Sequence, residues 1–92
     1  MIVSFKHAGL EAFHQTGSKA GIQAIHAPKL RILLTALSTA TAPKDLNSPA
    51  WRPHPLKGEK ASYWALTVHA NWRLTFRFVP EGVELLDYLD YH

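Results

Sequence analysis

Ninety-two residues with no cysteine, 47% hydrophobic and 18% charged, imply a globular chain stabilised by its own core, without a disulfide framework or thiolate chemistry. No apolar run approaches the roughly 20 residues that cross a bilayer. Met1-Ile2-Val3-Ser4-Phe5-Lys6 also lacks the basic and apolar regions of a signal peptide, so one cytoplasmic, monomeric domain over 1–92 is expected. The net charge of +3 is unevenly spread: residues 1–77 hold all ten Lys and Arg against three acids, +7, and residues 78–92 hold four acids and no base, −4.

In chain order, Ile2–Phe5 is a short β-prone run, read as a first strand. Leu10, Phe13 and His14 follow at helical spacing, with Gly17 as the stop. Pro28 suits a first helical turn, and Leu30, Leu33, Leu34 and Leu37 then recur at i, i+3, i+4, i+7, which predicts an amphipathic helix over 28–40. Four prolines between Pro43 and Pro55 make turn and edge-strand material. From Tyr63 the period becomes two. Trp64, Leu66 and Val68 alternate with Tyr63, Ala65 and Thr67, and Trp72, Leu74, Phe76 and Phe78 alternate with Arg73, Thr75 and Arg77. A tight turn joins these strands at His69-Ala70 or Ala70-Asn71. Pro80-Glu81-Gly82 is the next turn and 83–89 the last strand.

The order β-α-α-β-β-β-β predicts an α+β fold, with both helices on one face of a small, mainly antiparallel sheet. Two helices cover one face only, so Arg73, Thr75 and Arg77 are expected on the open one. By alternation His92 shares a face with Glu84, Leu86 and Tyr88; both faces of that strand carry apolar residues, so which face it is stays open.

A basic body attracts polyanions, although ordinary basic proteins carry the same charge. No Gly-rich phosphate loop, G-x-S-x-G elbow or H-E-x-x-H pair occurs. The six histidines are scattered; His54, His69 and His92 could meet, but nothing in their spacing specifies a metal. The second half instead concentrates His54, Lys57, Lys60, Arg73, Arg77, Asp90, Tyr91 and His92. This set suits acid–base cleavage of a phosphodiester, which needs a base for the 2′-OH, cations for the phosphorane and an acid for the leaving oxygen. The plain alternatives are a loop filler for His54, a solvated turn charge for Lys57 and a frayed chain end for Tyr91-His92.

His54-Pro55-Leu56-Lys57-Gly58, Tyr63-Trp64, Asn71-Trp72-Arg73 with Thr75-Phe76, and Asp87-Tyr88 followed by Asp90-Tyr91-His92 together resemble the HigB branch of the RelE/ParE toxin superfamily, over essentially the whole chain. The resemblance implies a toxin of a type II toxin–antitoxin system that enters the A site of the 70S ribosome and cuts mRNA. No metal or cofactor is implied, and the partner implied is a helix-turn-helix antitoxin of the HigA type. It assigns His92 as leading general acid or base and His54 as the complementary proton carrier or phosphate orienter. Lys57 and Arg73 neutralise the phosphate, Tyr91 contacts the nucleotide and Asp90 orients a neighbour; Lys60 and Arg77 bind RNA. Pro53 before His54, the few basic residues on the second helix (Lys29, Arg31) and His69 depart from the family pattern. Two other readings are a superfamily toxin that poisons DNA gyrase and a decayed toxin that only binds antitoxin.

Overall fold

The computed structural model describes residues 1–58 and 61–91. Lys60 and His92, both assigned roles above, lie outside the described residues, as does Glu59. Helix α1 (Ala8–Thr16) begins where the His7 imidazole accepts the Leu10 N–H at 3.0 Å. It stops at Gly17, whose left-handed backbone (φ 79°) lets its N–H reach the Phe13 carbonyl. Helix α2 (Ala27–Thr39) carries Pro28 in its first turn and buries Leu30, Leu33, Leu34 and Leu37, the stripe that the leucine spacing predicts. Leu33 is fully buried. Leu33→Ala is therefore expected to cost about 2–5 kcal/mol, read as a lower urea midpoint with an unchanged slope.

The proline-rich stretch forms two short 3₁₀ turns, Pro43–Leu46 and Pro49–Trp51, and the edge strand β1 (His54–Pro55). The Asp45 carboxylate accepts the Thr41 N–H and hydroxyl and the Ala42 N–H, bonds that hold its pKa below the usual carboxylate range and tie this stretch to the end of α2. Strands β2 (Tyr63–His69), β3 (Trp72–Val79) and β4 (Gly82–Asp90) complete an antiparallel sheet in the order β1-β2-β3-β4. The β2–β3 turn is Ala70-Asn71, with Ala70 left-handed at φ 51°.

The leucines of α2 pack with Leu10 and Phe13 of α1 against Leu66, Leu74, Phe76, Val83 and Leu86, so both helices cover one face, as expected. On that side Tyr88 reaches the α1–α2 connection. Its hydroxyl lies 2.5 Å from His26 Nδ1 and accepts the Gln23 N–H at 3.4 Å, while Trp72, His69 and His7 place their rings around the pair. Burial, aided by the nearby His69 imidazole, lowers the pKa of His26 below the usual histidine value. The unfolded chain therefore takes up that proton more readily. The stability that His26 contributes is present above about pH 6.5 and is lost as pH falls through the folded value. Melting temperatures followed from about pH 7 to about pH 5 should fall less in His26→Asn than in the wild type.

Two expectations need correction. Thr75 is on the face away from the helices but is fully buried, as is its β2 partner Ala65. Both are short side chains ringed by longer ones, so the middle of that face is a dry floor, not an exposed surface. Simple alternation also fails in β4. Glu84 pairs with Arg77 and Asp87 with Thr75, so β4 spends two residues (Leu85, Leu86) where β3 spends one (Phe76). This bulge, with Leu85 left-handed at φ 57°, turns Glu84 to the open face while Leu86 and Tyr88 point into the core.

The bulge also shapes the N-terminal segment. In place of a regular strand, residues 1–6 make two isolated parallel bridges to β4, Ile2 with Val83 and Phe5 with Leu86. Between them the Leu85 N–H turns to the Ser4 hydroxyl at 2.9 Å, so the ladder cannot run on.

Candidate active site

Register places the predicted residues on the open face in rows. His54 stands opposite Ala65, Ala65 opposite Thr75, and Thr75 opposite Asp87. One alternation further, Thr67, Arg73 and Leu89 form the next row; on the other side Tyr63, Arg77 and Glu84 form another. Strands ~4.8 Å apart put the backbones of His54 and Thr75 ~10 Å apart, with Arg73 ~7 Å further along β3.

His54 is exposed, and its Nδ1 lies 2.9 Å from the Arg52 carbonyl. A carbonyl only accepts, so Nδ1 carries the hydrogen, and in the neutral ring Nε2 keeps its lone pair towards solvent. Arg52 presents that carbonyl because its backbone turns left-handed (φ 48°) after the Pro49–Trp51 turn. Lys57 is exposed just beyond β1, on the same edge of the sheet.

Arg73 and Tyr91 meet at the Ala70-Asn71 turn. The Arg73 guanidinium donates through Nη1 to the carbonyls of Ala70 (2.5 Å) and Trp72 (3.0 Å), and the Tyr91 N–H donates to the Asn71 carbonyl at 2.8 Å. Arg73 makes no salt bridge among the described residues, and its remaining N–H groups can take a phosphate. The Tyr91 ring is 38% exposed, enough to meet a base. Asp90 stands opposite Trp72, on the helix-covered side of the sheet at its exposed rim, and so is turned away from Arg73. His54 and His69 lie on opposite faces, since His69 packs beside His26, which removes the three-histidine grouping. Among the described residues no cluster of three or more His, Asp or Glu is placed to hold a metal.

Arg77 is on the open face but its charge is committed, with Nε and Nη2 both donating to one carboxylate oxygen of Glu84. Sequence reasoning missed this partner because the bulge brings it across. The available signal was the three-residue step from Val83 to Leu86, where alternation would place the next core residue two along. Glu84→Gln should free the Arg77 charge. RNA binding should then tighten at low salt, with a log–log salt slope steeper by roughly one phosphate contact.

Two helices on one face of a four-stranded antiparallel sheet, with the other face uncovered, are an α+β arrangement that this chain shares with two solved structures. A mutant of E. coli YafQ superimposes with a TM-score of 0.58 at 20% identity, covering 96% of this chain and 86% of that one. The YoeB/ParE toxin from Agrobacterium tumefaciens does so with a TM-score of 0.56 at 22% identity, covering 100% and 99%. More specifically, residues 3–92 match the family model described as RelE-like toxin of type II toxin–antitoxin system HigB. The chain is also 42% identical to Endoribonuclease HigB of Proteus vulgaris over 92 residues, the whole of both chains. It belongs to the HigB-like toxin family, and an antitoxin partner follows from that membership. Among the described residues no helix is long and apolar enough to cross a membrane.

Proposed function

We propose that this chain, an endoribonuclease toxin of a type II toxin–antitoxin system, cuts mRNA in the ribosomal A site by attack of the RNA's own 2′-OH. The observation that carries the reading is the hydrogen bond from His54 to the Arg52 carbonyl, which leaves Nε2 as a proton acceptor on the sheet face that also holds Arg73.

In this reading His54 Nε2 takes the 2′-OH proton. The 2′-oxygen bonds to phosphorus, the bond to the 5′-oxygen breaks, and His92 returns a proton to that oxygen. The products are a 2′,3′-cyclic phosphate and a 5′-hydroxyl. Arg73 and Lys57 carry the charge that builds on the phosphorane. Tyr91 stacks on the target nucleotide, and Asp90, from the rim behind the face, orients a neighbour. Lys60 and the rest of the basic body hold ribosomal RNA through its backbone; Arg77 adds to this to the extent that Glu84 releases it. The toxin acts in the cytoplasm as a monomer outside its complex with a HigA-type helix-turn-helix antitoxin.

Mapping mRNA 5′ ends after induction tests the reading. New ends within translated codons, with cyclic phosphates on the upstream fragments, are expected. DNA-damage signalling without new mRNA ends would replace it with gyrase poisoning, and antitoxin binding without growth arrest would mark a decayed toxin.

A further inference from the structure

On the helix side of the sheet, the end of β4 is held by a contact that the cleavage chemistry does not use. The N-terminal segment pairs with β4 only as far as Leu86, and Lys6 N–H makes the last of these bonds. Beyond it, residues 87–90 have a strand neighbour on the β3 side alone among the described residues. Of residues 87–91, Tyr88 is the buried one. Its ring lies 4.6 Å from that of Trp72, the residue paired with Asp90, and His7 meets its edge at 5.3 Å. The Tyr88 oxygen accepts the Gln23 N–H, and the same hydroxyl is hydrogen-bonded to His26 Nδ1. The titratable groups around His26 are His69 from β2, Tyr88 from β4 and His7 before α1, with Asp90 two residues further along β4; His26 forms no salt bridge among the described residues.

We infer that His26 and Tyr88 are positioning residues for RNA cleavage: their hydrogen bond locks the exit of β4 to the α1–α2 connection and so sets where Asp90 and Tyr91 stand. Neither touches RNA. The inference rests on the reading above that Asp90 and Tyr91 serve the site. The lock lies on the reverse of the sheet, so it acts only through the strand. A phenol and an imidazole suit this task, because the bond between them fixes direction as well as depth, whereas two apolar rings would fix depth alone.

Tyr88→Phe removes one oxygen and keeps the ring. On translating ribosomes, its kcat for mRNA cleavage should fall at least tenfold while KM stays within twofold. In the isolated toxin, hydrogen exchange of the Tyr91 amide, bonded to the Asn71 carbonyl, should quicken at least tenfold, with the Leu33 and Leu34 amides of α2 unchanged. His26→Asn places an oxygen near the Nδ1 position and should restore both readouts to within threefold of wild type. His26→Ala should match Tyr88→Phe, and the double variant should be no worse than either single one. Unchanged Tyr91 exchange in Tyr88→Phe overturns the lock whatever the activity. Faster exchange with an unchanged kcat overturns the positioning role. In that case Asp90→Asn and Tyr91→Phe decide the cause: if they too cut normally the reading of the site has failed, and if they are crippled only the lock's catalytic role has.

Discussion

Replacing His54 with Ala is expected to lower the cleavage rate by about 10²–10⁴, the usual worth of one positioned proton carrier. The loss should fall on kcat, because an exposed edge residue contributes little to holding the ribosome. The Nδ1 bond to the Arg52 carbonyl makes the claim more specific. His54→Gln keeps a polar side chain but cannot take up a proton. It should be as slow as His54→Ala. If His54→Gln cuts within threefold of wild type, His54 orients the phosphate and the base is another group.

Gly82→Val is expected to cost about 3 kcal/mol or more and to loosen the N-terminal segment before anything else. Gly82 has φ 147°, a conformation that side chains rarely adopt, and a Cβ there would sit 2.0 Å from the Met1 carbonyl oxygen. That oxygen accepts the Val83 N–H at 2.9 Å, and the Val3 N–H returns to the Val83 carbonyl at 2.7 Å. Any β-carbon must therefore push apart the two backbones that these bonds join. Chemical denaturation gives the cost. Amide exchange at Val3 and Lys6, compared with Leu74 in mid-sheet, shows whether the segment leaves first. Equal quickening at all three sites would mean that the segment and the sheet open as one unit.

The elements with strong periodicity were legible from residues alone. Leu30, Leu33, Leu34 and Leu37 mark α2, Gly17 ends α1, and the alternation through Trp64–Val68 and Trp72–Phe78 assigns both strands and their covered face. Where backbone geometry overrides side-chain pattern, the reading stopped. Leu85 is left-handed although leucine gives no sign of it, so the pairing of Arg77 with Glu84 was hidden and Arg77 read as a free cation. Arg52 is a similar case: its carbonyl, not its charge, is what it gives to His54. Thr75 read as exposed because alternation gives a face but not a depth. The residue set of the candidate site came from the polar residues of the second half, and the resemblance gave each of them a role. Its arrangement, with His54 and Lys57 at one edge and Arg73 with Tyr91 at the β2–β3 turn, needed the register.

The parallel clasp between residues 1–6 and β4 has a consequence for the order of folding. The Ser4 hydroxyl and the Leu85 N–H that it receives are 81 residues apart in the chain, whereas β2, β3 and β4 are joined by two-residue turns. Local pairings form early and distant ones late, because the loop between distant partners must close first. The meander is therefore expected to assemble on the leucines of α2 with the first six residues still unattached. They are expected to close over β4 as the final step, so that in pulsed amide exchange during refolding Val3 and Lys6 gain protection after Leu74.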